Sequence, residues 1–324
     1  MANDLRNKKM FSKNYIIPVL ITTLCSMQAL AGESVNKTLD VKDVKSVFIE
    51  NVRGKVEIKS WSQSKVSVKG ELDDQTTEFV FEQNGSAVNI KVQIPNNSKG
   101  KNYKGSDLII HIPEESAVEF TGVSTSLVLK NLLSDSEIKT VSGDIEMDTG
   151  RGHISLSTVS GDIDAKDLDG KIYLSSVSGD VNDANSTGRI NLRSVSGSIE
   201  TSSTASEVSL SAVSGDIDFD LASVEEFDLS TVSGDIKGKF GLDSDGHLKM
   251  STVSGNMSLG FIKPVDASFR LKANAGGDIV NKLTDDRTKY AKYGPGAKLN
   301  FSTGNGTASV KGTTVSGTIK LYYK

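Results

Sequence analysis

Residues 140–145 read Thr-Val-Ser-Gly-Asp-Ile, and the same six letters return at 158–163 and 231–236. Near copies occupy 177–181, 195–199, 213–217, 253–257 and 315–319. The phrase valines fall at 141, 159, 177, 195 and 213, an 18-residue period, followed by steps of 19 to Val232 and 21 to Val253. Self-similarity at a fixed short period marks a chain built by stacking one small unit. The one- and three-residue excesses predict bulges at a corner of that unit.

A weaker copy lies half a period on. Gly143, Gly152, Gly161, Gly170, Gly179, Gly188, Gly197 and Gly215 are spaced by nine, with Ser206 filling the one gap. The nine-residue half reads [Val/Leu]-x-Gly-x-Ile-x-[Leu/Ala]-x-x. Its first seven positions alternate apolar or small with polar, the period-2 mark of a strand with one buried face. On this parity the phrase valines point inward, the glycines and aspartates sit within the strand, and Ser142, Ser160, Ser178, Ser196, Ser214 and Ser233 form a ladder of hydroxyls. The parity resets across Ser157-Thr158 and across Lys166-Asp167, which places corners there. The fold class is therefore all-β, a single-stranded β-solenoid. Its rungs are about 18 residues long, built of two nine-residue halves and stacked at about 4.8 Å. Ile145, Ile163, Val181, Ile199, Ile217 and Ile236 should line one wall. Ile154, Ile172, Ile190, Val208, Phe227 and Leu248 should line the other, with Leu156, Leu174, Leu192, Leu210 and Leu229 beside them.

The flanks continue the theme. Val52-Arg53-Gly54-Lys55-Val56-Glu57-Ile58 carries the same unit, and alternating runs follow through 108–112. The chain divides into a cleaved signal peptide (1–31), an N-terminal β region with the start of the solenoid and its cap (32–140), the regular repeat (141–260), and C-terminal irregular rungs with a cap (261–324). Arg6, Lys8, Lys9 and Lys13 precede an apolar stretch at 15–24 and a small-x-small site at Ala29-Leu30-Ala31, the layout of an export signal. Met10 offers an alternative start, and Cys25 a poor lipoprotein site, because Leu24 before it is too large. Cleavage after Ala31 removes the one cysteine, four basic residues and Asp4, leaving 33 basic against 40 acidic residues and a formal charge of −7. An acidic chain without cysteine excludes disulfides and thiol chemistry and argues against a nucleic-acid partner. No remaining apolar segment is long enough to span a membrane.

Together, Asn51-Val52-Arg53-Gly54-Lys55-Val56-Glu57-Ile58 with Trp61, Leu108-Ile109-Ile110-His111-Ile112-Pro113, and the serial Ser-Gly-Asp-Ile phrases resemble the bacterial putative-adhesin family. This is a domain of unknown function described as β-strand-repeat-containing, and the resemblance covers about residues 40–322. It implies a repeat-built β fold and a place at the cell envelope, where some members are found beside stress-sensing systems. It implies no catalytic residues, since none are established for the family.

The outward positions are uneven. After the phrase glycine come Asp144, Asp162, Asp180, Asp216 and Asp235, and two residues further Glu146, Asp164, Glu200 and Asp218. Such a stripe is a solvated acidic face or a weak site for divalent cations or a basic partner. One glycine per nine residues does not reproduce the Gly-Gly-x-Gly-x-Asp loop of calcium β-rolls. His111, His153 and His247 are scattered, Gly304-Asn305-Gly306 lacks the lysine of a phosphate loop, and a lone Trp61 reads as an end cap before a sugar platform. No catalytic residue, metal ligand or cofactor site is expected. The expected function is a non-enzymatic, exported, monomeric envelope or surface scaffold, an adhesin. Its ligand would be a protein or glycan, its specificity coming from loops 96–106 and 284–298. A periplasmic accessory of a stress-sensing system and a carbohydrate-active enzyme are the alternatives.

Overall fold

The computed structural model describes residues 32–95 and 103–324. The expected leader, 1–31, and residues 96–102 of the polar loop lie outside the described residues. Among the described residues there are 25 strands and no helix, joined in one wound sheet. The sheet forms two walls that face each other across a thin core.

The repeat sets the register. On the phrase-bearing wall, Leu127, Ile145, Ile163, Val181, Ile199, Ile217, Ile236, Met257 and Ile319 pair rung to rung in parallel, and all are buried. On the second wall Ile154, Ile172, Ile190, Val208, Phe227, Leu248 and Val310 do the same. A buried Ile or Leu contributes about 1.5–3 kcal/mol, but only if a neighbouring rung covers it, so the stack is the folding unit. Larger side chains fill the C-terminal half. Phe219 meets Phe227 edge-on across the core at 5.1 Å, and the series runs through Phe240 and Phe261 to Phe269, which stacks on Phe301 at 4.3 Å.

The phrase is the first corner, and here the structure corrects the simple alternation. The phrase valines point outward. The inward residue is the one before: Thr140, Thr158, Ser176, Ser194, Thr231, Thr252 and Thr314 are buried, with Ala212 in the same place. The hydroxyl ladder runs through Thr140, Thr158, Ser176 and Ser194 and not through the phrase serines, while the Thr231, Thr252 and Thr314 hydroxyls are buried without a partner. Ser176 Oγ accepts from the Gly179 amide at 2.9 Å and donates to the Gly161 carbonyl of the preceding rung at 3.0 Å. Thr158 and Ser194 repeat both bonds. Simple alternation fails here because the turn takes its extra residue after the buried hydroxyl, not before it.

The phrase glycine is fixed by close approach. A Cβ on Gly161, Gly179, Gly197 or Gly215 would stand 1.9–2.0 Å from the carbonyl oxygen of the equivalent glycine one rung below. No side chain fits there. The second corner turns differently, through the left-handed residues Asn131, Thr149, Asp167 and Asn185, with φ between 55° and 63°. Both insertions sit at this second corner. The extra residue is a bulge at which the Glu225 and Glu226 amides share the Ser206 carbonyl. The three-residue excess lies between Leu242 and His247.

At the ends, chain order and spatial order part company. Strand Ser46–Trp61, first of the long strands, is flanked on both sides by later ones: it lies between Ala117–Leu132 and the pair Ala87–Gln93 and Ser106–Pro113. The last two strands, Ala308–Thr314 and Thr318–Tyr323, slide between Leu242–Thr252 and Met257–Phe261 on one side and Ala267–Ala273 and Asp278–Asn281 on the other. Antiparallel strands then close each end, Ser34–Asp40 with Lys65–Glu71 and Glu78–Asn84 at one, Ala297–Ser302 at the other. A parallel stack has two bare edges, and antiparallel caps cover them.

Gly179→Ala is expected to cost about 3 kcal/mol or more through overpacking, read as a lowered melting temperature. Gly296→Ala, where the nearest atoms lie 3.8 Å away, should change stability by less than about 0.5 kcal/mol.

Candidate functional site

The first corner displays what the core does not use. Val123, Val141, Val159, Val177, Val195, Val213, Val232, Val253 and Val315 are each 40–49% exposed and stack one per rung. Every carbonyl of this ladder but that of the last valine, Val315, is taken by the serine amide of the next rung, from Ser142 to Val123 through Ser316 to Val253, at 2.7–2.9 Å. The backbone of the ridge is therefore satisfied, and its side chains are free to meet a partner. At about 4.8 Å per rung, the ridge is close to 40 Å long.

The aspartates flank this ridge. Asp144, Asp162, Asp180, Asp216 and Asp235 lie at the corner exit, immediately before the strand, and not within it as the alternation implied. All five accept a backbone amide of the next rung. Asp144 Oδ1 accepts the Asp162 amide at 3.1 Å, Asp162 the Asp180 amide at 2.9 Å, Asp180 the Ser198 amide at 2.7 Å, and Asp235 the Asn256 amide at 2.8 Å. Asp216 does the same for Asp235 at 2.8 Å. The carboxylate replaces a carbonyl that the corner has turned away. Asn256 serves Thr318 equally well at 3.1 Å, so the position asks for an acceptor oxygen and not for a charge. Glu146, Asp164, Asn182, Glu200, Asp218 and Lys237 form the next outward column. Among the described residues, no group of three or more His, Cys, Asp or Glu is placed to hold a metal ion.

The histidines stay apart. His153 and His247 share a column on the second wall with Lys171, Arg189, Glu207 and Glu226 between them. His111 is half-buried at the N-terminal end, packed against Trp61 with ring centroids 4.8 Å apart and planes tilted by 30°, and its Nδ1 lacks a hydrogen-bond partner. Burial, with Lys59 and Lys69 nearby, holds its pKa below the usual imidazole value. The Trp61 indole N–H donates to the Lys65 carbonyl at 2.8 Å. The tryptophan also forms one side of a concavity of about 330 Å³ with Gln63, Glu114 and Glu115.

One polar group escaped the sequence reading. Asp183 stands in the inward column between Ala165 and Thr201 and is 4% exposed. Its carboxylate accepts from Ser186 and, at 2.9 Å, from Thr201. Burial pushes this carboxyl above the ordinary range, while the two hydroxyl donors pull the other way. Its position two residues after Val181, where other rungs hold Met147, Ala165, Phe219 or Leu259, was the available signal.

The Toastrack DUF4097 family matches residues 44–322. The chain belongs to that family. A Toastrack chain is all-β and solenoid-like, in agreement with the wound two-walled sheet described above. Among solved structures, the chain is similar to a putative cell adhesion protein from Clostridium sporogenes ATCC 15579. The two share 12% identity over 90% of this chain and 100% of that one, with a TM-score of 0.25. With so low a score nothing passes from that protein to this one. No curated protein matches the chain.

Because the Asp183 carboxyl is raised in the folded state, the native form holds its proton to higher pH than the unfolded chain does. Stability from this group is greatest below the unfolded pKa and falls as pH rises through the window between the two. Asp183→Asn should therefore raise stability at neutral pH, with a gain that vanishes near pH 3, below the usual carboxylate value of about 3.9. Urea unfolding at the two pH values reads the difference. An equal effect at both would refute it.

Proposed function

We propose that this Toastrack protein is a non-enzymatic, exported binding scaffold of the cell envelope, an adhesin in the broad sense. The observation that carries this reading is the outward valine ladder. Folding does not need it, because the core is complete without it, and the neighbouring serines satisfy the backbone. A row of nine half-exposed apolar side chains at one per rung is the kind of contiguous exposed patch that marks an interaction site.

The chemistry of the ligand follows from the ridge and its flank. Valine methyls offer apolar contact, serines offer hydroxyls, and the aspartate column offers the carboxylate oxygens not taken by amides. A protein or glycan presenting an apolar edge with basic groups beside it fits this surface. Many weak repeated contacts would then add through multivalency. The separated histidines and the backbone-bound aspartates support a non-catalytic role. Among the described residues no helix is long and apolar enough to cross a membrane. Export rests on the expected leader.

Beads coated with the full chain should be retained on the surface of the cells that make it or on extracellular matrix. Val159→Thr with Val177→Thr and Val195→Thr keeps the branched side-chain shape and replaces one methyl by a hydroxyl at each site. Retention should fall to that of blank beads while the melting temperature stays within about 3 °C. Undiminished retention by the triple variant would remove the ridge from the account.

A further inference from the structure

The outer face of the second wall changes character at its C-terminal end. Lys249 pairs directly with Lys311, and Lys311 with Arg270. Two residues along, Lys272 pairs with Lys298, and Lys298 with Lys289. Like charges at directly paired strand positions destabilise a sheet. Asp228 on the next strand faces Lys249 and offsets part of that cost in the first row, but no carboxylate is paired with a cation of the second. Among the described residues, none of these side chains forms an ion pair, although Lys and Arg elsewhere find carboxylates, as Lys239 does with Asp220 and Lys91 with Glu50.

The second row runs into a concavity. Lys272, Lys289, Lys298 and Arg287 line a space of about 660 Å³ between the capping strand Ala297–Ser302 and the loop before it. One carboxylate, Asp286, shares the lining, and it is engaged by the Thr284 hydroxyl at 3.0 Å. Tyr290 shares it too, tied by its hydroxyl to Asp278 at 2.8 Å yet 67% exposed. Thus a chain with a formal charge of −4 gathers unpaired cations at one end, around a cavity, at a cost to its own sheet.

We propose that this cap is a binding site for a linear, phosphate-bearing polyanion. Cations on neighbouring strands stand about 4.8 Å apart, and those two residues along a strand about 6.7 Å apart. A flexible chain of phosphates laid across the strands meets a cation at each step, and the concavity admits one of its units. Lys249, Lys311, Arg270, Lys272 and Lys298 lie on strands of a sheet face, and Arg287 and Lys289 close a hollow beside it, which favours a threadable polymer over a flat bilayer. Attraction of this kind is strong at low salt and weakens steeply as salt rises. The site is distinct from the valine ridge, and its fate does not depend on the scaffold reading.

The probe is fluorescently labelled inorganic polyphosphate, titrated with the full chain and followed by anisotropy. Wild-type protein should bind, with an affinity that falls as salt is raised. Lys272→Gln with Lys289→Gln and Lys298→Gln should weaken binding by about tenfold or more, since each neutralised contact removes a released counterion. Its melting temperature should be equal or higher, because like-charge opposition is relieved. Neutralising Lys42, Lys55 and Lys171 instead changes the net charge equally and should leave binding within about twofold. Failure of the wild type to bind polyphosphate would overturn the proposal, as would equal weakening by the two triple variants. Binding to phosphatidylglycerol vesicles or a single-stranded oligonucleotide, with none to polyphosphate, would overturn it as well.

Discussion

The contact on which the structure depends is that of one glycine with the glycine carbonyl of the rung below. A Cβ at Gly179 would lie 1.9 Å from the Gly161 oxygen. That closeness lets the corner backbone of one rung settle onto the next, so the serine amide reaches the valine carbonyl and the buried hydroxyl reaches the glycine carbonyl. Each letter of the repeated phrase except the valine then has a physical duty in the fold. Thr or Ser links two rungs from inside, Val faces out, Ser donates its amide, Gly makes room, Asp accepts the next amide, and Ile fills the core. Any rung in this environment is pressed toward the same letters at every position but the outward valine, so most of the repetition is explained without appeal to a ligand.

The long-range register was legible because an 18-residue period with a period-2 alternation leaves few ways to bury Ile145, Ile163 and Val181 together. The direction of Val159 was not. Corners break parity, and alternation alone does not say which side of Thr158 the break falls. The aspartates read as a charge stripe because their backbone partners lie a full rung away in sequence. Asp183 was visible only as a polar letter in an apolar column. The insertion of the terminal rungs between earlier ones was invisible, since the phrase at 315–319 looks like one more step in chain order. Its pairing with Met257 on one side and Ile279 on the other is set by capping, not by the repeat.

The two outward features answer different constraints. Beside the phrase corner, acceptor oxygens are needed by the backbone, and aspartate supplies them with a negative flank as a consequence. At the C-terminal cap, no backbone group requires Lys272, Lys298 or Lys289, and their neighbours make them costly. An outward side chain that folding explains is weak evidence of function. One that folding opposes is stronger. The valine ladder lies between these cases: tolerated by the corner, unneeded by the core, and long enough to matter to a partner.

Native-state amide hydrogen exchange tests the central claim most directly. If the corner is a hydrogen-bonded ladder held by glycine contact, the amides of Ser160, Ser178 and Ser196 should exchange as slowly as those of Ile163 and Val181 in the adjoining strands, although their side chains are exposed. Exchange at the corner as fast as at residues 284–288 would mean that the phrase is a loose surface turn. The solenoid would then owe its register to the core columns alone.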